Sequence, residues 1–235
     1  MTMPAIHRVA RLDFTVRRWR WAFADERRSE IRSHFAALRV KTPALWNGRI
    51  LLGRNPVFDR DCFRAEYFET DFASFLAWRD WGFPDKGVFN GFGMGALRGN
   101  DGAFVLGEMA ASTANAGRIY FPSGTPDLSD VKDGALDIAG SILREVEEET
   151  GLDPSTYRAD PGWYCVVAGP LIAVIQLLDV DMPGETLRVR IAQTLARQCS
   201  PELRAIHLVR GPEDFAPEIP IYVTAFIDHV ASTAV

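Results

Sequence analysis

REVEEETGL, residues 144–152, places four glutamates, Glu145, Glu147, Glu148 and Glu149, within five positions just ahead of a glycine. The stretch from 137 to 150 has helical periodicity, Gly151 is a left-handed stop and Pro154 bars continuation. At about 100° per residue, Glu149 lies about 40° to one side of Glu145 and Glu148 about 60° to the other. Three carboxylates therefore share one helix edge, while Glu147 falls nearly opposite, in solvent. Ala139, Ile142, Leu143 and Val146 form an apolar stripe beside that edge, which predicts a helix packed into a core along its acidic margin. Like charges at this spacing cost about 0.2–0.5 kcal/mol per pair, and the C-terminal end of a helix dipole adds to the penalty. A hard divalent cation reverses both effects, because Mg²⁺ takes oxygen ligands and bridges carboxylates to phosphates.

Arg144, Glu145, Val146, Glu148, Glu149, Gly151 and Leu152 together match the pattern Arg-Glu-apolar-x-Glu-Glu-x-Gly-apolar. This is the core of the Nudix box, and the chain resembles a Nudix hydrolase over residues 92–152. The resemblance implies an α/β/α sandwich around a mixed sheet, here with an N-terminal α/β extension. It also implies Mg²⁺ or Mn²⁺ as cofactor and water attack on a diphosphate linkage. Carried over residue by residue, Glu145, Glu148 and Glu149 are the expected metal ligands and Arg144 the orienting residue. Gly124 matches the glycine that opens the box, whose carbonyl reaches the metal. The expected substrate is a small-molecule nucleoside diphosphate joined to another moiety, of nucleotide-sugar or coenzyme A type. A nucleotide-binding sensor without turnover is the alternative.

Two features depart from the family pattern. The interval from Gly124 to Arg144 is six residues longer than usual, and the upstream glutamate position, eight before Arg144, is Leu136. Asp127, Asp130, Asp133 and Asp137 lie in this long polar loop, any of them a substitute. The general base is open among Glu145, Asp179, Asp181 and Glu185.

Ahead of the box, the flanking runs around Asn100-Asp101-Gly102 read as a hairpin. Gly91, Gly93 and Gly95 signal close packing against a strand rather than a phosphate loop, since no helix follows at the required place. After the box, WYCVVA, LIAVIQLL and LRAIHLV read as strands, ETLRVRIAQTLARQ and IPIYVTAFIDHV as helices. Two units follow: an extension over 1–90 that packs on the core and helps form a substrate pocket or dimer surface, and a hydrolase domain over 91–235. Within the extension, Ile31, Phe35 and Leu38 mark one helix face, Asn47-Gly48 a turn, and Ile50 to Leu52 a strand. A second helix has Thr70 or Asp71 as N-cap and Gly82 past its end. RRWRW, Arg17 to Trp21, reads as a strand edge with partly buried tryptophans, and Trp78 and Trp81 as core.

With 47% apolar and 24% charged residues, the 235-residue chain has ample material for a core. A net charge of −5 and a pI near 5.4 argue against a non-specific nucleic-acid binder. Cys62, Cys165 and Cys199 have no paired spacing and read as buried thiols, and His7, His34, His207 and His229 lack zinc-ligand spacing. Neither a signal-like run nor a membrane-length apolar stretch is present, so the expected setting is the cytoplasm.

Overall fold

The computed structural model describes residues 3–233. Its N-terminal elements are β1 (Ala5–Val9), β2 (Arg11–Val16), α1 (Ala22–Glu26), α2 (Arg28–Lys41), β3 (Arg49–Asp59), β4 (Cys62–Asp71) and α3 (Phe72–Asp80). Next come β5 (Val88–Gly99), β6 (Phe104–Met109), β7 (Ile119–Tyr120), β8 (Ser123–Gly124), β9 (Val131–Lys132), β10 (Ala135–Leu136) and α4 (Ile138–Thr150). The chain continues through β11 (Tyr157–Ala159), β12 (Trp163–Ala168), β13 (Leu171–Val180), α5 (Gly184–Leu195), β14 (Leu203–Val209) and α6 (Ile221–Thr233).

Strand β5 is the hinge of the architecture, and nearly all of it is buried. It pairs in parallel with β13 from Asn90↔Leu171 to Gly99↔Val180, and antiparallel with β3, β6 and β8 on its other side. The result is one mixed sheet running β1-β12-β13-β5-β3-β4-β2-β10-β9, with the remaining strands branching from it. The 100–102 turn forms as expected, with Gly102 at φ +81° closing β5 onto β6.

Alternation along β5 sends its odd-numbered residues to one face and its even-numbered ones to the other. On the odd face lies α4, capped by Asp137, which accepts from the Gly140 amide at 2.9 Å, and ended by Gly151 at φ +72°. The missing side chains of Gly93 and Gly95 let Ile142 and Val146 of α4 sit against the strand. A Cβ on Gly93 would lie 2.5 Å from Ile142 Cγ1. Both helix residues are fully buried, worth about 1.5–3 kcal/mol each. On the even face, Phe92 meets Tyr222 of α6 edge-on at 5.5 Å, and Phe226 packs with Phe104, Phe121 and Tyr164. Helices thus cover both faces of a mixed α/β sheet.

The N-terminal elements join this sheet through Gly53↔Phe89 and Arg54↔Val88, and β1 pairs with β12 at the far end of the path. Helices α1 to α3 build a second apolar cluster, with Trp21, Ile31, Phe68 and Trp78 at its centre and Phe35, Leu38 and Trp81 against it. Asp71 caps α3 by accepting from the Ser74 amide at 2.9 Å, and Gly82 follows the helix at φ +78°.

Three expectations need correction. Residues 17–20 of RRWRW form no regular strand; Trp19 packs edge-on against Phe68 at 4.6 Å while Trp21 sits at the start of α1. The loop between Gly124 and α4 is ordered by a 3-10 turn at Leu128–Asp130 and by the β9–β10 hairpin, which pairs with β2 through Ala135↔Thr15. Cys199 is exposed, whereas Cys62 and Cys165 are buried. Among the described residues no helix is long and apolar enough to cross a membrane.

Candidate functional site

The acidic edge of α4 meets β8, which is held beside β5 by Gly93↔Gly124 and Met94↔Ser123. The Glu145 carboxylate lies directly over Gly124, and a Cβ at that position would collide with it. Arg144 Nη2 donates to Glu145 Oε1 at 3.1 Å, and Arg144 Nη1 donates to Asp130 Oδ1 at 2.6 Å. The Asp130 side chain is only 1% exposed and its second oxygen accepts from the Asp127 amide at 3.0 Å.

Of the four loop acids, Asp130 is the one that anchors Arg144, which in turn holds Glu145. The other three have local roles. Asp127 caps the 3-10 turn through the Ser129 amide at 2.7 Å, and Asp137 caps α4 while pairing with Lys132 at 2.5 Å. Asp133 sits at φ +50° in the β9–β10 turn, and Leu136 is buried.

Glu149 is the anomaly of the site. It is 5% exposed, yet among the described residues neither carboxylate oxygen has a hydrogen-bond partner. Burial pushes its pKa well above the ordinary carboxylate range, and repulsion from Glu145, Glu202 and Glu148 adds to the shift. The Ser123 amide opposes that shift but completes no hydrogen bond to it. Desolvation likewise raises Glu145, to about 7, with Glu148 and Glu202 pushing the same way and Arg144 opposing.

Glu148 does not converge with them. Its side chain is 64% exposed and stands 4.0 Å from Arg144 Nε. Glu147 is exposed, as the helical angle predicts. Among the described residues, no three His, Cys, Asp or Glu side chains are gathered so as to hold a metal ion.

The residues present nevertheless fit a hard dication. Two buried oxygens without a donor, a neighbouring half-buried carboxylate and a glycine backbone make an oxygen-only, electronegative cradle. Glu202, just ahead of β14, is a further acid whose field reaches both Glu145 and Glu149. Its backbone carbonyl is held by the Ala110 amide at 2.7 Å. No sequence pattern marks it, because it is an isolated acid far from the box.

The other general-base candidates are elsewhere. Asp179 accepts from Arg98 Nε at 2.8 Å, Asp181 from Asn100 Nδ2 at 3.3 Å, and Glu185 from Arg188 Nε at 2.9 Å. Asp179 pairs with Arg98 across the strands, while Gly124 pairs with Gly93. Five residues of strand separate the two points, about 17 Å at the usual rise.

A cavity of about 180 Å³ opens beside Gly124. Phe72, Phe75 and Arg79 of α3 form one wall, and Asn90, Phe92 and Tyr222 another. It adjoins a groove of about 920 Å³ that shares Arg79, Tyr120 and Tyr222 and adds Arg118. Among the described residues Arg118 has no ion-pair partner within 4.0 Å, so the groove carries an uncommitted cation.

No family model matches the chain, and no curated protein matches it by sequence. Among solved structures it is similar to a Nudix hydrolase from M. smegmatis, RenU, with 13% identity and a TM-score of 0.39 over 61% of this chain and 84% of that one. It is also similar to the MutT protein from Methanosarcina mazei Go1, at 18% identity and a TM-score of 0.39 over 62% and 95% of the two chains. The E. coli ORF135 protein aligns at 16% identity and a TM-score of 0.36, over 62% and 93%.

Proposed function

We propose that this protein is a Nudix-type hydrolase that uses Mg²⁺ or Mn²⁺ to cleave the diphosphate linkage of a nucleoside diphosphate joined to another moiety, in the cytoplasm. One observation carries the reading: Glu149 holds two buried, unpartnered carboxylate oxygens next to Glu145 and the Gly124 cradle. A buried carboxylate without a partner is costly unless it takes up a proton, and a cation together with phosphate would supply the missing counter-charge. Glu145, Glu149 and the Gly124 carbonyl would hold the ion, with Glu148 swinging in from the rim. When bound, the ion would neutralise phosphate oxygens and lower the pKa of water.

The chain's own residues do the rest. Asp130 fixes Arg144, and Arg144 orients the Glu145 carboxylate. Glu202 is a candidate acid for accepting the proton of the attacking water, beside Glu145. Arg118 and Arg79 stand in the groove where phosphate charge would lie. Residues 1–90 act with 91–235 rather than apart from them, since α3 walls the cavity.

The alternative, a sensor that binds nucleotide without turnover, is favoured by the outward-facing Glu148. Nucleotide sugars, ADP-ribose, dinucleoside polyphosphates and coenzyme A, each with Mg²⁺ and a coupled phosphatase, separate the two. Phosphate release from one of these compounds is the expected result. Tight binding without release from any of them would favour the sensor.

A further inference from the structure

The chain carries 31 acids against 26 bases, yet among the described residues no aspartate or glutamate lines the groove of about 920 Å³. Its walls are aliphatic instead. Leu38 near the end of α2, Leu45 just beyond it, Leu76 of α3 and Leu171 of β13 contribute, with Ile219 and Ile221 where α6 begins. Leu76 and Ile219 are buried, whereas Ile221 is 43% exposed, a large aliphatic side chain left facing water. Gathered apolar surface of this kind marks a binding groove. Its volume lies at the upper end of the roughly 300–1,000 Å³ typical of small-molecule sites.

The polar groups of the groove are few, and several are already taken. Asn115 Oδ1 accepts from Arg79 Nη1 at 3.4 Å, while Asn115 Nδ2 donates to the Tyr120 hydroxyl at 3.1 Å. Thr113 Oγ1 donates to the Ala110 carbonyl at 2.9 Å. A sugar ring entering here would give up the water around its hydroxyls and find little to replace it. A hydrocarbon chain loses nothing of that kind and gains from every leucine it covers. The positive charge sits to one side. Burial pushes the Tyr222 hydroxyl up to about 12 and the Arg118 guanidinium works against that rise, which sets Arg118 near Tyr222. Arg79 and Tyr222 line both the groove and the smaller cavity beside Gly124, so the charge lies toward the junction of the two spaces.

We propose that this groove binds a hydrocarbon chain with an anionic end, and that the moiety joined to the nucleoside diphosphate is therefore aliphatic rather than a sugar. The chain lies along Leu45, Leu171 and Ile221, and Arg79 and Arg118 meet the anionic end. That the chain belongs to a substrate rests on the hydrolase reading above; that the groove binds it does not.

Calorimetric titration of the full chain in EDTA with hexyl, octyl and decyl phosphate, and with glucose 1-phosphate, tests it without metal or turnover. Each added pair of methylenes should tighten binding by about 5- to 15-fold. Glucose 1-phosphate should bind about 10-fold or more weakly than octyl phosphate. Ile221→Asp should weaken octyl phosphate by about 10-fold or more, since a carboxylate then faces the chain. An acid is favourable in the first turn of a helix, so this variant keeps its fold. Leu45→Asp, in the loop after α2, should act in the same way. Arg118→Ala should weaken all three alkyl phosphates by a common factor and leave the dependence on chain length intact. Octanoate should bind more weakly than octyl phosphate, because it offers the arginines less charge.

Affinity independent of chain length, glucose 1-phosphate binding as tightly as octyl phosphate, or undiminished binding in a folded aspartate variant would each overturn the proposal. Octanoate binding more tightly than octyl phosphate would do so too, as the mark of a free fatty acid site. Hydrolysis with Mg²⁺ is a separate readout: its absence counts against the hydrolase and leaves chain binding standing.

Discussion

Glu145→Gln in the metal-free protein isolates the energetic consequence of gathering acids without a cation. The Glu145 side chain is 17% exposed and its pKa is raised from 4.5 to about 7, chiefly by desolvation. Below pH 4.5 the folded and unfolded chains both hold this proton, and stability does not depend on it. Between 4.5 and about 7 the folded chain keeps a proton that the unfolded chain releases, so stability falls as pH rises. Above about 7 both are ionised and the folded state carries the whole penalty. A gap of about 2.5 pH units at about 1.36 kcal/mol each makes that penalty about 3 kcal/mol. For a chain of this size each kcal/mol moves the melting midpoint by about 2–4 °C, giving a fall of about 6–12 °C. Thermal melts followed by circular dichroism in EDTA at pH 5 and pH 8 read it directly. The wild-type midpoint should fall more than the variant's by about that amount, and Glu149, whose shift has the same sign, adds to the fall in both proteins. Mn²⁺ at pH 8 should raise the wild type above the variant, because binding to the folded form alone adds stability. Identical pH profiles for the two proteins would refute the reasoning.

Glu149→Gln should abolish turnover while leaving the metal-free midpoint at pH 8 unchanged or raised, since a buried repulsion disappears; wild-type activity would show that Glu149 is no ligand. Gly124→Ala should lower kcat by about 100-fold, because its Cβ displaces the Glu145 carboxylate and misplacement of about 1 Å has effects of that size. Asp130→Asn should lower stability in urea by about 1–3 kcal/mol through loss of its charge-assisted bond to Arg144, whereas Asp133→Asn should leave it unchanged.

The helix that carries the site was legible because its signals are local. Asp137 caps it, Gly151 stops it, and the spacing of Ile142 and Val146 fixes which face enters the core. The glycines of β5 were legible for a related reason: residues without side chains on alternate positions call for a close neighbour, and Ile142 and Val146 are that neighbour. Helical angle alone put Glu148 with Glu145 and Glu149, but the turn of its side chain depends on what surrounds the helix, and Glu148 has water to turn to. The four loop acids are equivalent as sequence. Asp130 is selected by tertiary structure, as the 3-10 turn and the β9–β10 hairpin carry it beneath Arg144. Glu202 lies far from the box and in no pattern, and only tertiary packing brings its field to Glu145 and Glu149. RRWRW has the alternation of a strand, but Trp19 and Trp21 gain more by packing on Phe68 than by extending a ladder.

Crystals soaked in Mn²⁺, with diffraction collected near the manganese edge, put the proposed dication centre to its most direct trial. An anomalous peak within ligand distance of Glu149, Glu145 and the Gly124 carbonyl is the predicted result. A map featureless there, with a nucleoside diphosphate also present, would contradict it.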